Sequence, residues 1–426
     1  YQLVEKKREH ITQVCQQRED VLYQLINRLL DHVRKWDDCN VTAEYENVVS
    51  LLDQLWGRAS LSFRNNLVLD DGVPPPYDEF PRISDTLEED AAYDYIGLYS
   101  RLRRYFRHKG RWKDYRRSVK RAYALACALE DISEAFRIAS DGAFVYSLED
   151  RCSPSDLVVA EKWVARLEDL CSSSEITPRA EKQYRAQTLR MHGVVAMRRA
   201  TKEKYEESRD CFRQALNYLE DLEELEAKNR YMNEEFDIDK ERAGIHSFLA
   251  KLAMKYEARF DKAVRRLDQA IESAEAIGDE EDQAIFGTQK AELYVWWGDY
   301  ERADAVLDEI LPRSRRLGYK ELLADGLYLE AFVHQNKSPF NNRGSSSDRA
   351  KREINAAIDS AEESLKLRKE TLEEGTSETL AGEYFTKLCS TYLLLAGLYL
   401  YRHEEGLSED AKDDDQFREY LDTGNT

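Results

Sequence analysis

Ala284–Pro312, AIFGTQKAELYVWWGDYERADAVLDEILP, reads as two helices folded back on each other. Ala284, Thr288, Ala291, Tyr294 and Val295 recur in steps of three and four and share one helical face. Ala303, Leu307 and Ile310 do the same on the second helix. Gly298-Asp299 interrupts the pattern between them, and Tyr300 opens the second helix. Small Ala291 and Ala303 let the backbones approach, with Tyr294 and Tyr300 filling the crevice alongside.

A hairpin of this kind cannot bury its apolar stripe alone, so further copies should stack beside it. With Ala303 as reference, five more second helices place a small or apolar residue with partners four and seven positions on. They are Tyr115/Val119/Ala122, Ala160/Val164/Leu167, Ser208/Phe212/Ala215, Ala263/Leu267/Ala270 and Ala350/Ile354/Ala357. Three positions before each reference stand Trp112, Leu157, Tyr205, Phe260 and Tyr300, and only Ser347 departs from the series. The references lie 45, 48, 55, 40 and 47 residues apart. First helices are weakly marked: Arg103, Leu148, Ala196 and Lys251 stand where the best copy has Ala291.

The order small, aromatic, Gly-Asp-Tyr, small resembles the tetratricopeptide repeat (TPR) family, whose standard unit has about 34 residues. These repeats are longer and are similar to the TPR arrays of STAND-type signalling regulators, where the array follows an NTPase module and senses a ligand or partner. The resemblance covers roughly residues 90–400. It implies an all-α, right-handed TPR-like α-solenoid of about six helix pairs behind an N-terminal helical hairpin. It also implies protein or peptide binding on the concave face, which the first helix of each pair lines.

Four segments follow from the chain's punctuation. Residues 1–66 read as an antiparallel helical hairpin: Ile11 to Trp36 and Val41 to Phe63 keep seams of threes and fours, with Asp37–Asn40 as the turn. Residues 67–83 are a Pro-rich linker with four prolines in eight residues. Pro74-Pro75-Pro76-Tyr77 matches the short shape read by WW domains, a match that a plain linker also produces. Residues 84–402 hold the solenoid and 403–426 an acidic tail. The acidic run 219–239 is either an extended helix or a projecting loop. Asn336–Asp348, rich in Asn, Ser and Gly, is a long loop inside one repeat. Thr379–Tyr401 is a closing helix, apolar almost all round.

The chain of 426 residues carries a formal charge of −20, against which one segment stands out. Arg101–Arg121, RLRRYFRHKGRWKDYRRSVKR, holds eleven Lys and Arg and one acid, Asp114, with Tyr105, Phe106, Trp112 and Tyr115 interleaved. Two readings stay open. Acids nearby, among them Asp85, Glu88, Glu89, Asp90, Asp94, Glu130, Asp131 and Glu134, could absorb the charge internally. Alternatively the patch meets an acidic partner, because arginine offers a rigid donor fork to anionic groups. Tyr99, Arg103 and Arg107 fall on one helical face, with Arg111 at the following turn. If the first helix lines the groove, these four are the candidate partner-binding residues, and Arg116, Arg117 and Lys120 face outward or pair with acids.

Other chemistry is not written here. There is no GxxxxGK[ST], HExxH or GxSxG, so the sequence names no enzyme, cofactor or metal site. Seven scattered cysteines without a CxxC pair suit reduced thiols in a cytoplasmic protein. The longest apolar run, Tyr392–Tyr401, is too short to span a bilayer. No signal peptide is visible, although the chain opens at Tyr1 rather than Met. The functional expectation is a protein-interaction module: a scaffold, adaptor or sensor. A receptor domain for a small anionic or peptide ligand is the second reading. Nucleic-acid contact through 101–121 is the third, disfavoured by the overall charge.

Overall fold

Two of the described turns pair a glycine that leaves one helix with an aspartate that starts the next. Gly298 takes φ 79°, and the amides of Gly298 and Asp299 return to Val295 and Tyr294. Asp299 then caps the following helix through the Arg302 amide at 3.2 Å. Gly278-Asp279 repeats the device, with φ 68° and Asp279 accepting from Asp282. Elsewhere Ser153 and Asp156 form a capping box ahead of Pro154, and Thr177 caps the helix that Pro178 opens.

The computed structural model describes residues 38–60, 75–83, 86–108, 111–148, 152–172, 176–229, 237–337, 347–374, 382–404 and 412–425. Among them, α1 (Asp38–Ala59) precedes α2 (Thr86–His108) and α3 (Trp112–Ala128), the first pair. The next pairs are α4 (Ile132–Tyr146) with α5 (Pro154–Cys171), and α6 (Pro178–Arg198) with α7 (Lys202–Asn229). Then come α8 (Ile238–Lys255) with α9 (Phe260–Ala276), and α10 (Glu280–Trp297) with α11 (Tyr300–Leu317). The array ends with α12 (Lys320–Lys337) and α13 (Ser347–Glu374), then α14 (Gly382–Glu404) and α15 (Lys412–Asn425). Helices pack in consecutive pairs, giving an all-α, TPR-like solenoid. First helices also pack along the array, α4 on α6, α6 on α8, α10 on α12 and α12 on α14.

The second-helix register holds almost throughout. Tyr115, Ala160, Ser208, Ala263 and Ala303 are each at most 1% exposed, while Ala350 is only half-buried. Their crossing partners are not found at a fixed offset. A Cβ on Gly287 would come within 2.4 Å of Ile310, and one on Gly142 within 2.5 Å of the Trp163 ring. Glycine lets those backbones close, a role the sequence pattern assigned to alanines. Leu148, aligned with Ala291 by counting, lies beyond the end of α4 because a longer connection separates α4 from α5.

Several expected boundaries differ. The helix of Ala303 runs through Pro312 to Leu317. α1 starts at Asp38, inside the expected Asp37–Asn40 turn; its buried Leu52, Leu55 and Ala59 keep the expected seam. The first helix of the expected N-terminal hairpin lies outside the described residues, as do 61–66 at the hairpin's end, 67–74 of the linker and 338–346 of the long loop. The linker's end is pinned: Phe80 is buried edge-on to Tyr123 at 6.0 Å, and the Ile83 amide donates to Ala128 O. The acidic run is helical to Asn229, with Asp221 and Glu223 paired to Lys182 and Arg242. Within the expected acidic tail, α15 is docked, setting Tyr420 against Tyr392 at 6.0 Å and Tyr399 at 5.8 Å. Among the described residues seven pairs follow α1, against about six expected, because α14 gains a partner helix.

Candidate partner-binding face

α2 carries Tyr99, Arg103 and Arg107 about one helical turn apart. Tyr99 has no exposed surface, so it lies beneath the groove wall and not on it, a correction to the expected stripe. Its ring neighbours Tyr115 at 6.3 Å, and its hydroxyl donates to Asp141 Oδ2 at 2.9 Å. Burial, reinforced by Asp141, pushes that hydroxyl well above the usual tyrosine range, so it stays a donor.

Asp141 of α4 is the hub. It also accepts from Arg103 Nη1 at 3.3 Å and lies 3.7 Å from Arg137. Arg137 is fixed in turn by Glu134 and by the Ser100 hydroxyl at 2.6 Å. Arg103 keeps 42% of its side chain open to solvent, and its contact with Asp141 is long for a charge-assisted bond. It is a held but accessible cation.

Arg107 points elsewhere. Its guanidinium stands over the Phe144 ring at 5.1 Å and reaches Glu281 of α10 at 3.9 Å. Desolvation works against its charge, but Tyr319, Glu281, Tyr115 and Asp282 outweigh that and raise its pKa. The first pair thereby meets the fifth. Arg111 sits at the α2–α3 turn as expected, half-buried, its amide bound to Phe106 O at 2.8 Å.

Of the rest of the basic segment, Arg116, Arg117 and Arg121 are paired within the fold. Arg116 pairs with Asp156 at 2.9 Å and covers the Tyr146 ring. Arg117 meets Asp114 at 3.1 Å and Asp53 at 3.8 Å, and Arg121 meets Asp53 and the Trp56 ring. Asp53, Asp141, Asp156 and Glu281 were not among the acids expected as partners. Asp141, Glu281 and Asp53 had no local signal, being remote in sequence from the arginines they meet. The interleaved aromatics pack on one another, with Trp112, Phe106 and Tyr115 at most 7% exposed. Rings placed so cannot stack on nucleobases, which removes the aromatic half of a nucleic-acid interface.

Among the described residues no group of three or more His, Cys, Asp or Glu could hold a metal ion. No described helix is long and apolar enough to cross a membrane.

Geometry of this kind defines a TPR-like helical-repeat array. No family model and no curated protein matches the chain. Among solved structures, BtubC (BKLC) from P. vanneervenii aligns at 16% identity and a TM-score of 0.42, over 63% of this chain and 88% of that one. A STAND protein with a tetratricopeptide repeat sensor from Pyrococcus horikoshii aligns at 14% identity and 0.33, over 80% of this chain. This chain spans 55% of that protein's length. Yeast Tom70 aligns at 14% and 0.19, over 90% and 96% of the two chains. These alignments are loose, and the assignment of the array rests on the chain's own pairing and register.

Proposed function

We propose that the chain is a protein-interaction module that grips an acidic protein or peptide segment on the concave face of its first two repeats. Arg103 is the observation that carries this reading: a cation on the inner wall, oriented by Asp141, with 42% of its side chain in solvent. Arg111 stands at the neighbouring turn as a second contact. Tyr99 acts through Asp141, from below the surface. Arg107 is committed to Glu281 and shapes the groove without contacting the partner.

A ligand-sensing role is the second reading, and the Arg107–Glu281 contact favours it. A ligand that breaks a bridge between the first and fifth pairs would change the curvature of the whole array. Binding of an acidic peptide array by wild type and Arg103→Gln tests the first reading. Weakened binding with an unchanged fold supports it; equal binding by both proteins removes it.

A further inference from the structure

At the opposite end of the first two repeats a cavity of about 490 Å³ opens at the surface. The α3–α4 turn forms its floor through Leu129, Glu130, Asp131 and Ile132, with Ile176 and Tyr93 among its walls. Tyr93 leaves 49% of its surface in solvent although it adjoins well-packed helices. The described lining holds two carboxylates and no Lys, Arg or His. Its size falls within the range of pockets that enclose organic groups.

Glu130 is held there against its own backbone preference. Its φ is 60°, in the left-handed region, and its amide and that of Asp131 return to Cys127 and Ala126. The turns at Gly278 and Gly298 make the same two bonds with glycine in that position. A side chain at such a residue carries strain that glycine avoids. Glutamate therefore stands where those two turns carry glycine, although Ala200 and Ala258 also take positive φ, and its carboxylate reaches the pocket rim. That carboxylate already binds a guanidinium: Arg82 pairs with it, 77% exposed. Such an exposed pair contributes little and yields readily to a competitor.

We infer that this cavity binds a lysine or arginine side chain presented by a partner segment. Leu129, Ile132 and Ile176 would cover the aliphatic stem, as they do for long cationic side chains elsewhere in proteins. Glu130 and Asp131 receive the charge, and Tyr93 offers a ring face to it. An anion would meet two carboxylates. A bare metal ion prefers a shell of six or more oxygens to an apolar wall. Asp131 also caps α4, accepting the Glu134 amide at 3.0 Å and the Ser133 hydroxyl at 2.7 Å, which fixes it at the rim. This site is distinct from the concave face and takes a partner of opposite charge.

The test uses the whole chain and a fluorescein-labelled acetyl-Gly-Lys-Gly-Lys-Gly amide, with spermidine as a free polyamine. Glu130→Gln should weaken peptide binding about tenfold, and Tyr93→Ala should weaken it in the same direction. Glu301→Gln, at a carboxylate far from the cavity, should leave it unchanged. Glu130→Gly should weaken binding as much while raising the melting temperature by roughly a few degrees, since it relieves the strained turn. Equal binding by wild type and Glu130→Gln overturns the site. A Glu130→Gly protein that melts no higher overturns the argument from strain. Spermidine binding more tightly than the peptide overturns the assignment to a peptide partner.

Discussion

Arg107 and Glu281 meet at 3.9 Å, although they stand 174 positions apart in the chain. A contact between the first and fifth pairs limits how far the solenoid can open. Replacing Glu281 by Gln should lower stability by only about 1 kcal/mol, because the pair is partly solvated. It should also widen the distance distribution seen by small-angle X-ray scattering. Swapping the charges, Arg107→Glu with Glu281→Arg, should restore the compact profile. An unchanged profile in Glu281→Gln would show that the contact does not set the curvature.

The same corner predicts a pH dependence. Burial and the neighbouring Asp279 and Glu281 raise the Asp282 pKa from 3.8 to about 6, against the pull of Lys240 and Arg107. The folded chain thus holds this proton more tightly than the unfolded chain. The adverse contribution of its charge is absent below about pH 4, grows as pH rises to 6 and is complete above that. Asp282→Asn should stabilise the protein by roughly 1–2 kcal/mol at pH 7.5 and hardly at pH 4. Denaturant melts at the two pH values check this; equal shifts at both would contradict it.

Ala303 has no exposed surface where α11 crosses its neighbours, so Ala303→Leu should overpack the joint by about 1–3 kcal/mol. Glu301 lies on the outer face with 81% of its side chain exposed, and its pair with Lys337 is a surface one. Glu301→Gln should shift stability by less than about 0.5 kcal/mol. A normal melting curve for Ala303→Leu would contradict the register.

α15 closes the end of the array through Tyr420, whose ring meets Tyr392 and Tyr399. Tyr420→Ala should cost about 2–4 kcal/mol if the ring packs as a core residue, less in proportion to its exposure. Limited proteolysis should then cut first within α15. Protection of α15 equal to wild type would show that its docking does not depend on this ring.

Second helices were legible because each carries its small residue and its two apolar partners at constant spacing. Tyr115, Ala160, Ser208, Ala263 and Ala303 were all placed by that rule, and all are buried. First helices were not, since the connection lengths differ between pairs and a fixed offset carries the count into a loop, as at Leu148. The true crossing residues, Gly142 and Gly287, lie off that count. Packing of the acidic tail was hidden because two aromatics, Phe417 and Tyr420, suffice to dock a helix whose remaining residues are mostly polar. In the candidate site, the shared face of Arg103 and Arg107 could be read from their spacing. Their partners Asp141 and Glu281 come from other pairs, where local sequence says nothing about who meets whom.

The central claim is that Arg103 offers its charge to a partner while Asp141 only steadies it. Salt-dependent affinity for an acidic peptide, measured on wild type and Arg103→Gln alongside their melting temperatures, tests it directly. The expected result is about tenfold weaker binding with a shallower salt dependence, and a melting temperature within about 2–4 °C of wild type. An unaltered affinity combined with a clearly lowered melting temperature would contradict it, placing Arg103 among the fold's internal ion pairs.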